Sequence, residues 1–143
     1  MKIAICGSLD FTYKIQKLAE KLKQMGHQVT IPISSQKIIK GEITLETIIK
    51  EKEENSLFKR AIEYNVIHKY WEIIKKSDAI LVANYDKNNI KNYIGGNTFL
   101  EIGFAHVLNK PIYLLNDIPQ MPYTSEIKTM QPIIIKNNLS KIN

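Results

Sequence analysis

Three apolar runs constrain this chain most: Ile3-Ala4-Ile5-Cys6, Ala79-Ile80-Leu81-Val82, and Ile112-Tyr113-Leu114-Leu115 behind Pro111. A half-exposed strand alternates apolar and polar residues, so an unbroken apolar run reads as a strand covered on both faces, as in a parallel sheet. After the first run Gly7 and Ser8 end the strand. Phe11, Ile15, Leu18, Ala19 and Leu22 then recur at helical spacing, and Gly26 supplies a stop. His27 to Pro32 is a second strand, closed by the proline. The first 32 residues therefore make a strand–helix–strand unit, which crosses over right-handed in a parallel sheet.

The pattern continues along the chain. Ser34 to Glu54 mixes isoleucine pairs with Lys and Glu and reads as an excursion or a short helix. One helix is expected from about Ser56 to Lys76, with Leu57, Ala61, Tyr64, Ile67, Trp71 and Ile74 on a stripe and Ser56 as its cap. The third strand is Asp78 to Asn84, followed by a loop from Tyr85 to Ile94. A helix through Glu101 ends near Asn109, and Pro111 opens the fourth strand. Asn116-Asp117-Ile118-Pro119 turns the chain, a short helix covers Ser125 to Met130, and Pro132 to Ile135 is a fifth strand. Strands alternating with helices predict an α/β fold with a parallel sheet of about five strands, in a single domain over residues 1–143 with no repeat or linker.

Composition narrows the function classes. The apolar fraction of 44% suits a chain that folds on its own. No apolar run approaches the roughly 18 residues of a membrane span, and strand-like sequence from Lys2 leaves no room for a targeting segment. A lone Cys6 cannot form an internal disulfide, which fits a cytoplasmic protein. The net charge of +6 comes from scattered lysines rather than the basic stripes and exposed aromatics of a nucleic-acid groove. It reads as a solvated surface or as mild attraction for phosphorylated metabolites; neither a nucleic-acid nor a membrane partner is expected. His27, His68 and His106 share no ligand spacing, so no metal is expected. The chain also lacks G-x-G-x-x-G and G-x-x-x-x-G-K-[ST], so no cofactor is expected.

In open parallel sheets ligands bind beyond the carboxyl ends of the strands, where the strand order reverses. That rule gathers Gly7-Ser8-Leu9-Asp10, the segment Asn84 to Asn97, and Asn116-Asp117. Gly7-Ser8 reads either as a small anion-binding turn, with Ser8 donating, or as an ordinary strand-to-helix turn. Tyr93 to His106 is the stretch richest in chemistry. Gly95 and Gly96 permit close backbone approach, Asn97 or Thr98 caps the following helix, and a helix start suits an anion. Glu101 has two readings. One is an exposed acid complementing the helix dipole. The other is a buried carboxylate, because Phe99, Leu100, Ile102 and Phe104 make the helix apolar nearly all round, and such a group is costly unless paired or used. His106 points to a different helix face. Asp78 sits at the opposite strand end as a cap or turn residue, whereas Asp86 and Asp117 lie at the ends where a second acid is wanted. Tyr13, Tyr70, Tyr85 and Tyr93 would either stack on a base or fill the core.

Taken together, Ile3-Ala4-Ile5-Cys6-Gly7-Ser8, Ser77-Asp78-Ala79-Ile80-Leu81-Val82, the segment Gly96-Asn97-Thr98-Phe99-Leu100-Glu101-Ile102-Gly103-Phe104-Ala105, and Lys110-Pro111-Ile112 resemble the nucleoside 2-deoxyribosyltransferase superfamily. That superfamily includes deoxynucleoside 5′-monophosphate N-glycosidases. The resemblance covers most of the chain except Ser34 to Glu54. It implies a flavodoxin-like, Rossmann-like sheet and a cytoplasmic hydrolase or transferase of nucleotide metabolism. It also implies cleavage of an N-glycosidic bond through a covalent glycosyl–Glu101 intermediate. Gly7 and Ser8 would hold a 5′-phosphate, and the chain would form a homodimer or higher homo-oligomer. Asn84, Gly95, Gly96, Asn97, Thr98 and Asn116 complete the expected substrate cradle. Family members usually carry an Asp eight residues before the third-strand Asp, where this chain has Tyr70, and an Asp or Ser six residues before the glutamate, where it has Gly95. Tyr70, Glu72 or Asp86 would then have to protonate the leaving base. A non-catalytic nucleotide-binding or sensing module of the same fold is the alternative. Gly95-Gly96-Asn97-Thr98-x-x-Glu101 is also similar to the G-G-x-G-T-x-x-E loop of nucleotide phosphoribohydrolases that resemble lysine decarboxylases, which cleave the same type of bond.

Overall fold

The computed structural model describes residues 1–143. Strand β1 (Lys2–Cys6) is an interior strand of its sheet, and its side chains are covered on both faces, from Ile3 to Cys6 at no more than 1% exposure. It pairs in parallel with β2 (Gln28–Thr30) on one side and β3 (Ala79–Val82) on the other, in the register Ile3↔Ala79 through Cys6↔Val82. β4 (Ile112–Leu114) and β5 (Ile133–Ile134) extend the sheet to the order β2-β1-β3-β4-β5, all parallel. The order reverses between β1 and β3, so the ends of those two strands flank the crevice that such sheets offer to ligands.

Alternation along the strands divides the core in two. Ile3, Ile5, Leu81 and Tyr113 face helix α1 (Thr12–Gln24), where Phe11, Ile15, Leu18 and Leu22 pack, and the C-terminal Ile142 closes that layer. Ala4, Cys6, Ile80, Val82 and Leu114 face the opposite layer, built from α5 (Val66–Lys76), α6 (Gly96–Val107) and α7 (Thr124–Thr129). Emptying a fully buried position such as Leu81 costs about 2–5 kcal/mol.

The segment between β2 and α5 differs from the sequence reading. It holds three short helices: α2 (Ile33–Ile39), α3 (Leu45–Glu53) and α4 (Leu57–Glu63). They gather around a small core of their own, Ile38, Ile43 and Ile48, with Leu9, Leu57 and Tyr64 against it. The single helix expected from Ser56 to Lys76 is broken at Asn65, which takes a left-handed φ of 49° between α4 and α5. Ser56 occupies the cap position of α4 but its side chain makes no cap bond. Asparagine is the chain's general punctuation: seven of its nine non-glycine residues with positive φ are Asn. Asn tolerates this conformation because its short amide bonds locally.

Candidate active site

The site begins where β1 stops. Gly7 turns the chain under close packing, for a Cβ there would lie 3.1 Å from Ile15 Cδ1 and 3.2 Å from Ala83 O. Ser8 then leads into a 3-10 turn over Leu9–Phe11. Opposite, the loop after β3 delivers Lys87 and Tyr93, and Gly95 stands at the N-cap of α6 without any side-chain cap bond. Neither Asn97 nor Thr98 caps this helix: both lie inside it. These parts, α5 and the 33–64 excursion enclose a cavity of about 380 Å³. Its walls bring together seven of the expected residues: Gly7, Ser8, Tyr70, Gly95, Gly96, Asn97 and Thr98, with Glu101 beside them.

Glu101 is the only carboxyl on the cavity wall. Its Oε2 is buried and meets no hydrogen-bond partner. Burial pushes its pKa up to about 8, while the neighbouring Cys6 thiol pulls the other way. The carboxyl is dry although α6 as a whole is not, because Leu100 is 45% and Val107 78% exposed. The expectation of a helix buried nearly all round is corrected accordingly. Cys6, fully buried, has its thiol pushed well up by burial and by the adjoining Glu101.

Tyr70 reaches the same corner from α5. It is 3% exposed, and its hydroxyl donates to the carbonyl of Ile5. Burial, with the nearby Cys6 and Glu101, raises its pKa well above that of a free tyrosine. Its proton is therefore committed to the β1 backbone.

Other expected residues lie elsewhere. Asp86 is exposed, accepts from the backbone N–H of Asn92 at 2.9 Å, and is not part of the wall. Asn84 is fully buried but staples strand ends: its Nδ2 donates to the carbonyls of Asn116 and Asp117 at 3.2 and 3.0 Å, and its Oδ1 accepts from Asn116 N–H at 2.9 Å. Asn116 returns a bond to Asn84 O at 3.0 Å and accepts from Asn137 at 2.7 Å. Both amides bond protein partners, Asn84 with both of its Nδ2 hydrogens, and neither residue is part of the wall. Glu72 is also outside it. Asp78 accepts from Lys2 N–H at 2.6 Å, a bond that joins the starts of β1 and β3 rather than closing a turn.

Three wall residues had no signal in spacing. Lys52 of α3 and Lys87 of the loop after β3 both bind Asp10, at 2.8 and 2.9 Å. Burial alone would raise the Asp10 pKa, but hydrogen bonds from the two lysines hold it below the usual carboxylate range. Burial and the charge of Lys87 lower the Lys52 ammonium, against the pull of Asp10. The third is Arg60, the sole arginine of the chain, whose Nε donates to both Glu51 carboxylate oxygens at 3.1 and 2.9 Å. No group of three or more His, Cys, Asp or Glu side chains is placed to hold a metal, and no helix is long and apolar enough to cross a membrane.

No protein-family model and no curated protein matches this chain. Among solved structures, the chain is similar to a Clostridium botulinum CMP N-glycosidase, BcmB, at 15% identity and a TM-score of 0.49, over 99% of this chain and 98% of that one.

Proposed function

We propose that the protein cleaves the N-glycosidic bond of a nucleoside or nucleoside 5′-monophosphate, with water or a second base as acceptor. The observation that carries this reading is the Glu101 carboxyl, dry, unpartnered at Oε2, and set in the wall of a cavity of about 380 Å³. That size suits one small-molecule ligand. A carboxylate oxygen with no protein partner is free to meet an electron-poor sugar carbon. It attacks C1′ as the C1′–N bond breaks, and the bonding pair leaves with the base, which takes up a proton. Water or an incoming base then attacks C1′, gives up its proton to solvent and releases the carboxylate, so two inversions give net retention. Gly95, Gly96, Asn97 and Thr98 line the sugar side, and Gly7 with Ser8 takes the 5′ end.

Glu101 is the only acid in the wall, and the Tyr70 proton is committed to Ile5, so the departing base draws its proton from water or from a second copy of the chain. Ile67 and Leu100, wall residues that are 47% and 45% exposed, support a second copy at that edge. The test is incubation with a panel of nucleosides and 5′-monophosphates while assaying free base. Release by the wild type and its loss in Glu101→Ala is the expected result; undiminished release by the variant overturns the assignment.

The same lack of a second acid favours one rival, a nucleotide-binding module without turnover. Thermal stabilisation by nucleotides with no free base produced by any of them would establish that reading instead.

A further inference from the structure

We infer that Lys52 and Lys87 are specificity-determining residues that make this cavity select a 5′-phosphorylated substrate over the free nucleoside; the inference rests on the function proposed above. The two lysines come from separate segments, α3 and the loop after β3, and converge on a single carboxylate, Asp10. Side-chain exposure is 31% for Lys52 and only 15% for Lys87. Two ammonium groups against one carboxylate leave an excess positive charge in a half-buried wall, which an anion would neutralise. The nearby Arg60 contrasts with them, because Glu51 grips it with both oxygens and leaves no such excess.

Donor arithmetic points the same way. Lys87 Nζ also donates to Ser8 Oγ at 3.0 Å, so the Ser8 hydroxyl accepts there and keeps its own proton to donate. Each ammonium carries three N–H donors. Lys52 spends one on Asp10, and Lys87 spends two, on Asp10 and Ser8. Two donors of Lys52, one of Lys87 and the Ser8 hydroxyl remain for a ligand beside Gly7. A phosphate dianion with three terminal oxygens fits that set, whereas the 5′-hydroxyl of a free nucleoside leaves most of it unanswered. Asp10 serves to orient the ammonium groups and takes one of their two charges.

The experiment compares kcat/KM for a nucleoside 5′-monophosphate and its parent nucleoside in wild type, Lys52→Met, Lys87→Met and, as a control on overall charge, the exposed Lys91→Met. Ribose 5-phosphate binding to each protein is measured by calorimetry. The monophosphate-to-nucleoside ratio is expected to fall about 10-fold or more in each wall variant and to hold in Lys91→Met, with ribose 5-phosphate binding weakened in parallel. A ratio unchanged by both wall substitutions, with both substrates cleaved, overturns the inference and leaves the proposed function standing. Should the wild type cleave neither substrate, yet bind ribose 5-phosphate in a lysine-dependent way, the proposed function fails while the anion receptor stands. Absence of ribose 5-phosphate binding by wild type overturns the receptor itself.

Discussion

The Cys6 thiol, at the last residue of β1, lies against the Glu101 carboxyl in the second turn of α6 and offsets part of the penalty that burial imposes on its charge. In the proposed reaction Glu101 must be ionised to attack, so its proton sets the acid side of the pH profile. With the carboxyl raised to about 8, kcat/KM is expected to climb with pH and level off above that value. Replacing Cys6 by Ala removes the stabilising partner and moves the limb to higher pH. A pH–rate profile that is flat from pH 5 to 9 in the wild type would contradict Glu101 as the ionising nucleophile.

The same group has a consequence for stability. An unfolded glutamate titrates at about 4.3, whereas folded Glu101 titrates at about 8, so the folded state binds the extra proton between these values. Stability contributed by the neutral form is fully present below about pH 4, and it is lost as pH rises toward 8. A difference of one in pKa between the folded and unfolded chain corresponds to about 1.4 kcal/mol. Glu101→Gln, which cannot ionise, is expected to be more stable than wild type at pH 8–9 and close to it at pH 5. Urea denaturation at the two pH values checks this. Equal gains at both would mean the carboxyl is not the cause.

Tyr70 separates catalysis from architecture. Its hydroxyl satisfies the carbonyl of Ile5, and Tyr70→Phe leaves that buried acceptor unpaired at a cost of about 1–3 kcal/mol. Turnover per folded molecule is expected to stay within a few-fold of wild type. A loss of two or more orders of magnitude in kcat, with the fold intact by circular dichroism, would instead make Tyr70 the acid that protonates the base.

The parts of this fold that were legible in the sequence are those with one dominant physical demand. Parallel strands covered on both faces write unbroken apolar runs, so Ile3–Cys6 and Ala79–Val82 stand out, and the glycines before Glu101 mark the helix that presents it. The excursion was illegible because each of its helices is only two or three turns long and serves a core of three isoleucines. Lys52 and Lys87 left no spacing signal, since their partner Asp10 is 42 residues from one and further still from the other. Asn84 and Asn116 were placed at the correct end of the sheet by the strand-order rule. That rule cannot tell an amide facing a ligand from one bonded to a neighbouring strand end, as these are.

The break at Asn65 carries the last prediction. A periodic stripe from Leu57 to Ile74 predicts one continuous helix, yet the left-handed Asn65 divides it into α4 and α5. Leu57 and Ala61 before the break and Val66 and Ile67 after it all line the cavity, so the bend shapes the cavity wall. Asn65→Gly keeps access to φ near 49° and is expected to change stability by a few tenths of a kcal/mol. Asn65→Ala meets the left-handed penalty of about 1–2 kcal/mol and, as a better helix former, favours a straight run through the bend. Its expected signature is a lower denaturation midpoint together with a raised KM, because wall residues on the two sides of the bend shift relative to each other. An Ala variant that matches the Gly variant in both measurements would show that the bend is held by packing rather than by the conformational tolerance of asparagine.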